Sequence, residues 1–486
     1  MGNQINSSNR NSSLKQSRGI EKVATEIDGL DDILKGGLPA GRTTLISGGP
    51  GTGKSLLGLE FIYRGALSGN PGIFITFEET KENVRQNAST LGWDLDTLER
   101  SGHFFLIEGQ VPPNILLSGD FDLKGLLAVI EGKAREIGAD RIVIDAIDIL
   151  LRFFNDLKEQ QNEMLILHKW LTDQQMSAIL TVKSANDKLS SEYSYLDFLA
   201  DCVMYVDQRI RQQVNTKRLQ VIKYRGSSYG ANEYPFLVSD RGIHFSPISE
   251  VEMTYQTDSQ RVSSGDRLLD AILGGGYQTG SCILISGLTG TGKTCMANIF
   301  ARSACEKGQK VLYINYEESQ AGMVAGMQSL GIDLLPAINE SALEVLSMMP
   351  ESMGIEAHLF YIINALRRFQ PQHLVLDAVS ACKRIGGESA AFDFLLRIVD
   401  TCKKMNITAV LINQAEGGPA GHDFSGIGVS SIIDTIISLQ YRDTGEELNR
   451  ALVVVKSRQT RHSNKYHQYV LSDQGIQIDP GSVEKH

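Results

Sequence analysis

Two segments of the chain have the residue types and spacing needed to cradle a run of phosphates: Gly48-Gly-Pro-Gly-Thr-Gly-Lys-Ser55 and Gly287-Leu-Thr-Gly-Thr-Gly-Lys-Thr294. In this pattern the glycines let backbone N–H groups curl around phosphate oxygens. The lysine, Lys54 or Lys293, reaches the terminal phosphates, and the hydroxyl of Ser55 or Thr294 ligates Mg²⁺. The expected ATP-binding residues are therefore Gly49, Gly51, Thr52, Gly53, Lys54 and Ser55 in the first copy, and Thr289, Gly290, Thr291, Gly292, Lys293 and Thr294 in the second. The copies are spaced by 239 residues, and a glutamate pair follows each at the same offset, Glu78-Glu79 and Glu317-Glu318. A water attacking a terminal phosphate needs a carboxylate to orient it and accept its proton. Strand side chains alternate, so one glutamate of each pair faces the nucleotide and the other faces away; the sequence leaves open which one.

Two further sets recur. Asp145 and Asp377 each end an apolar strand and suit a carboxylate that holds Mg²⁺ directly or through its ligands. The competing reading of a strand-end aspartate is a cap on the following helix. Lys223, Tyr224 and Arg225 recur as Lys456, Ser457 and Arg458 and join the expected ATP-binding residues. Alternation along a strand puts each lysine and arginine on one face. In an oligomeric ATPase such cations enter the neighbouring subunit's site, as an arginine finger does; the competing reading is a solvated basic strand.

The elements that must position these residues repeat as well. Leu30-Asp-Asp-Ile-Leu34 recurs as Leu269-Asp-Ala-Ile-Leu273, and Leu91-Gly-Trp-Asp-Leu95 as Leu330-Gly-Ile-Asp-Leu334. Thr43–Ser47, Gly72–Thr76, Ile142–Ile144 and Ala178–Val182 read as strands buried on both faces. Segments with helical spacing, such as Phe121–Ile137 and Glu356–Phe369, lie between such strands. The fold class is α/β, with a mostly parallel sheet flanked by helices in each lobe. The expected organisation is a disordered tail over 1–19, a first lobe over 20–248, a linker over 249–260, a second lobe over 261–478 and a short tail over 479–486.

The chain has 486 residues, is 42% hydrophobic and carries a net charge of -10, which disfavours a general binder of nucleic acid. It has no apolar run of membrane-spanning length and no secretory core, and its six cysteines are scattered. A reduced, cytoplasmic setting without membrane contact is expected.

Phe77-Glu-Glu-Thr80, Gly92-Trp-Asp-Leu95, Arg225-Gly226, Glu233-Tyr-Pro-Phe236, and Asp434-Thr-Ile-Ile437 followed by Leu439-Gln-Tyr441 are more specific than a phosphate loop alone. With the repeat, they resemble the KaiC family of circadian clock ATPases and autokinases, built from two tandem RecA-like P-loop NTPase domains. The resemblance runs from about Ile20 to Ile478. It implies a homohexamer with ATP at subunit interfaces, ATP hydrolysis in the first lobe, and Ser/Thr autokinase and autophosphatase activity in the second. It also implies a role at the core of a circadian or related signalling complex.

The phosphoacceptor positions of the family fall here on Ser430 and Ser431; a serine stands at the second, where the family has threonine. Aligning Asp201 with Asp434 sets Asp197 and Phe198 opposite Ser430 and Ser431, so hydroxyls occur there in the second lobe alone. Docking of a KaiB-like protein on the first lobe is expected from the resemblance. KaiA binding is not, because the residues after Asp479 are too few for the family's docking tail.

Two other functions compete. A RecA-like DNA-processing ATPase calls for basic or aromatic DNA-binding loops, but the 181–201 segment is mixed in charge and 414–425 is glycine-rich and not basic. A nucleotide-switched scaffold without autophosphorylation uses the same ATP sites.

Overall fold

The computed structural model of the chain describes residues 20–109, 123–154, 156–184, 193–211, 214–245, 260–415, 431–443, 448–458 and 460–482. The expected tail over 1–19, the expected linker up to residue 259, Ser430 and residues 483–486 lie outside them, as do residues 185–192 and 416–425 of the two segments weighed for DNA binding. The chain divides into two compact units, the first built on residues up to 208 and 217–247, the second on the remainder.

The first lobe opens with a short antiparallel ribbon of β1 (Lys22–Val23) and β2 (Leu38–Pro39). Its sheet is formed by β3 (Thr43–Gly48), β4 (Gly72–Thr76), β5 (Phe104–Glu108), β6 (Arg141–Asp145), β7 (Ser177–Lys183), β8 (Cys202–Arg211), β9 (Val214–Tyr224), β10 (Glu233–Ser239) and β11 (Gly242–Phe245). These nine strands lie in the order β11-β10-β9-β8-β3-β7-β6-β4-β5. From β8 to β5 the pairings are parallel; β9 to β11 add an antiparallel edge.

Every residue of β3, β4 and β6 is buried. Parallel strands are joined by helical crossovers, so helices cover both faces and the strands read as unbroken apolar runs. Successive residues accordingly serve opposite cores. Ile46 packs with Leu57 and Phe61 of the Lys54–Leu67 helix. Leu45 packs with Leu127 of the Leu123–Ile137 helix and Leu167 of the Leu157–Asp173 helix.

The second lobe repeats this plan, from a ribbon of β12 (Arg261–Val262) and β13 (Tyr277–Gln278). Its sheet comprises β14 (Cys282–Gly287), β15 (Val311–Asn315), β16 (Leu343–Ser347), β17 (His373–Asp377), β18 (Thr408–Gln414), β19 (Thr435–Asp443), β20 (Leu448–Ser457), β21 (His467–Ser472) and β22 (Gly475–Ile478). The order β22-β21-β20-β19-β14-β18-β17-β15-β16 matches the first lobe strand for strand. The expected α/β class with two mostly parallel, helix-flanked sheets is thus observed. Among the described residues, no helix is long and apolar enough to cross a membrane, and all six cysteines are buried and free.

Candidate nucleotide sites

In both lobes the phosphate loop leaves the C-terminal end of the central strand, where ligands of open α/β sheets gather. Gly48 ends β3, and a Cβ there would sit 2.2 Å from the Val206 carbonyl oxygen of β8. At Gly287 the equivalent clash is 2.4 Å, with the Leu439 carbonyl oxygen of β19. Only glycine admits the neighbouring backbone so closely. Gly53 and Gly292 cap the next helices with φ of 105° and 94°, and the helices Lys54–Leu67 and Lys293–Glu306 start on the loop lysine itself. Their first N–H groups and positive dipole ends converge where an anion would bind.

Both lysines fold back over their loops. Lys54 Nζ donates to the Gly49 carbonyl at 2.7 Å, and Lys293 Nζ to that of Leu288 at 2.9 Å. Burial lowers the pKa of each, opposed by nearby carboxylates: Asp145, Asp148 and Glu78 for Lys54, Asp377 and Glu317 for Lys293.

The loop hydroxyls meet the strand-end aspartates in both lobes. Ser55 Oγ donates to Asp145 Oδ1 at 2.9 Å, and Thr294 Oγ1 to Asp377 Oδ2 at 2.8 Å. The second donors differ. Thr181 of β7 supports Asp145. Tyr313 of β15 supports Asp377 at 3.1 Å, and Asn298 Nδ2 donates to the Tyr313 hydroxyl at 3.2 Å. Asp377 Oδ1 is buried without a hydrogen-bond partner. Burial raises both aspartates, Asp377 to about 6. A hydroxyl paired with a carboxylate is an all-oxygen donor set suited to Mg²⁺, and the unpartnered Asp377 oxygen fits the same ion.

In the first lobe Lys54, Ser55, Glu78, Glu79, Asp145 and Lys183 line one cavity of about 550 Å³. Its glutamates lie just past the end of β4 and both line the cavity, but their partners differ. Glu78 interacts electrostatically with Lys54 and Asp145. Glu79 Oε2 instead accepts from Asn87 Nδ2 at 2.8 Å. In the second lobe Glu317 interacts with Lys293 and Asp377. Asn315 Oδ1 accepts the backbone N–H groups of both Glu317 and Glu318, at 2.9 and 3.1 Å. Burial, reinforced by Glu317, raises Glu318.

The Lys-x-Arg cations lie elsewhere. Arg225 and Arg458 come one residue past the ends of β9 and β20 rather than within them. Arg225 donates to the Phe198 carbonyl at 2.7 Å, and Lys223 to those of Asp197 and Ala200. Arg458 donates to the Ser431 carbonyl at 2.6 Å, and Lys456 to that of Ile433 at 2.7 Å. Neither Lys223 nor Arg225 lines the cavity of its own lobe. Tyr224, expected beside ATP, points into the core instead, because alternation turns it away from its neighbours; its hydroxyl donates to the Gly37 carbonyl at 2.8 Å. Ser457 Oγ lies 3.3 Å from Thr435 Oγ1.

Sequence reasoning missed Lys183, whose Nζ donates to Glu78 Oε1 at 2.5 Å. It also missed the Asn298–Tyr313 support of Asp377. The lobes differ at these places: Leu59 and Phe74 stand where the second lobe has Asn298 and Tyr313.

A family model described as the KaiC ATPase matches residues 23–250 and again 262–483. The circadian clock protein KaiC2 of Synechocystis sp. is 35% identical over 468 residues, covering 95% of this chain and 82% of the relative. The circadian clock oscillator protein KaiC of Parathermosynechococcus lividus is 34% identical over 473 residues, 97% of this chain and 87% of its own. That of Synechococcus elongatus is 32% identical over 478 residues, 98% and 92% respectively. Two matched phosphate sites on two matched sheets, and these relatives along nearly the whole chain, lead to one conclusion: the chain belongs to the KaiC family of ATPases.

Proposed function

We propose that the first lobe hydrolyses ATP and the second transfers phosphate to its own chain and removes it, the two acting together in a circadian or related signalling complex. Lys54 and Lys293 hold the terminal phosphates, while Ser55 with Asp145 and Thr294 with Asp377 would hold Mg²⁺. Mg²⁺, when bound, neutralises charge on the phosphate oxygens. The glutamates facing the loop lysines, Glu78 and Glu317, are the proton acceptors. In the first lobe the proton comes from water; in the second it comes from a serine hydroxyl. As the proton leaves, the hydroxyl oxygen bonds to the γ-phosphorus and the bond to ADP breaks.

One observation carries the division of labour. The Lys-x-Arg segments grip their own chains at equivalent carbonyls, Arg225 at Phe198 and Arg458 at Ser431, Lys223 at Ala200 and Lys456 at Ile433. This pairing supports setting Ser431 against Phe198 independently of any sequence alignment. Phe198 is 75% exposed but carries no group that can accept phosphate. The same grip fixes the acceptor segment to the cationic segment, so both would reach a neighbouring subunit's nucleotide together in a homohexamer. A KaiB-like partner and a cytoplasmic setting belong to the same reading.

The test is incubation with γ-labelled ATP of the wild-type chain beside Ser430→Ala/Ser431→Ala. Label on the wild type that vanishes in the double variant supports the autokinase. Hydrolysis with no label leaves a nucleotide-switched scaffold, and strong stimulation by single-stranded DNA favours a DNA-processing motor.

A further inference from the structure

The two lobes part company at the residue that ends the strand beside the phosphate loop. In the first lobe the register pairs Gly48, where the loop begins, with Lys183 of β7. In the second lobe Gly287 pairs with Gln414 of β18. Equivalent positions thus hold a cation and a neutral amide, and they make different bonds. Lys183 reaches across the cavity mouth to Glu78. Gln414 Nε2 turns back to the loop and donates to Thr289 Oγ1 at 2.9 Å. Among the described residues, no cation sits within ion-pair distance of Glu317 or Glu318, and the Lys293 charge acts on Glu317 without a direct contact. The first site therefore holds two lysines against its carboxylates, close enough for Lys183 to oppose the charge on Lys54.

The Lys183 and Glu78 side chains are 38% and 40% exposed, and an ion pair this open to water adds little to stability. Its geometry is more telling. A glutamate at a strand end has three rotatable side-chain bonds, and a base that must orient water loses rate when its carboxylate wanders. An ammonium bonded to Oε1 fixes the carboxylate plane and leaves Oε2 to take the proton.

We propose, on the reading that the first lobe hydrolyses ATP, that Lys183 is a positioning residue that clamps Glu78 at the phosphate loop and so commits this lobe to water as its acceptor. With Glu78 clamped, Oε2 takes the water proton, the water oxygen bonds to the γ-phosphorus, and the bond to the ADP oxygen breaks. The second lobe, with Gln414 in place of the lysine, leaves its glutamates unclamped and its site open to a protein hydroxyl.

The test uses the full chain carrying Glu317→Gln/Glu318→Gln, so that the remaining turnover belongs to the first lobe. Adding Lys183→Gln, which copies the second lobe, is expected to lower kcat by about tenfold or more. KM for MgATP should change by less than about threefold, because binding is not what the clamp supplies. Lys183→Arg should retain most of the activity, since it keeps the charge and the reach. In a Glu78→Gln background Lys183→Gln should cause no further loss. A raised KM with unchanged kcat would make Lys183 a phosphate-binding cation and overturn the proposal. So would unchanged kinetics, or losses that multiply in the double variant. A parent chain without any ATP turnover would overturn the clamp and the hydrolysis reading together. Normal parental turnover that ignores Lys183→Gln would overturn the clamp alone.

Discussion

Asp377 is expected to destabilise its lobe until magnesium nucleotide arrives, so Asp377→Asn should stabilise the chain. The carboxylate is buried, its Oδ1 lacks a partner, and burial lifts its pKa from the ordinary 3.8 to about 6. A folded pKa above the unfolded one means that the folded state keeps a proton the unfolded state has released. Stability therefore falls as pH rises from about 4 to about 6, and the full penalty is present at neutral pH. At 1.36 kcal/mol per tenfold, the upper bound is about 3 kcal/mol.

Asparagine removes the charge, and its amide oxygen can still accept from Thr294 and Tyr313 as Oδ2 does now. The net gain should be about 1–3 kcal/mol, or several degrees in the melting temperature of a lobe this size. Scanning calorimetry at pH 8 in EDTA, without nucleotide, should show the variant's second-lobe transition higher than wild type, with the difference shrinking below pH 5. Adding MgATP should reverse the order, because ligand-linked stabilisation grows with affinity and the variant has lost a magnesium-holding oxygen. A variant that melts lower than wild type in EDTA at pH 8 would refute the reasoning, since charged Asp377 would then be a net stabiliser.

Replacing Lys54 or Lys293 singly by alanine should reduce tightly bound ATP from two to one per chain, read by equilibrium binding to the purified protein. Glu317→Gln should lower phosphate transfer in the second lobe by about 10²–10⁴-fold. Glu318→Gln should lower it by less than about tenfold, which a single-turnover assay would separate. Gly287→Ala places a methyl 2.4 Å from the backbone oxygen of Leu439, and neither strand can yield. A loss of about 3 kcal/mol or more should appear in the second-lobe melting transition while the first-lobe transition stays put.

The fold was legible wherever the chain repeats itself. Apolar runs such as Thr43–Ser47 became strands because burial on both faces leaves no room for polar alternation. The helix expected over Glu356–Phe369 begins one residue earlier, at Ile355. The loop lysines, the strand-end aspartates and the glutamate pairs were legible because their chemistry tolerates few substitutes. The roles within each glutamate pair were not, since only the fold decides which carboxylate faces Lys54.

Tyr224 was misplaced for a related reason: adjacency to Lys223 and Arg225 in sequence is opposition across a strand. Lys183 carries no motif, and its partner Glu78 is distant in the chain. A signal was available all the same, because aligning Ala178–Lys183 with Ala409–Gln414 sets a lysine against a glutamine beside the same loop. Tyr313 and Asn298 carry no motif either, and only the fold brings them to the buried Asp377 carboxylate.

Under the proposed function, the lobes divide hydrolysis from self-phosphorylation at one structurally equivalent pair of segments. That division is tested most directly by digesting the wild-type chain after incubation with MgATP and mapping phosphate by tandem mass spectrometry. Phosphate should lie on Ser430 or Ser431, with none on the first-lobe segment around Asp197 and Phe198. Phosphate confined to other residues, or full ATP turnover with an unmodified 430–431 peptide, would contradict it.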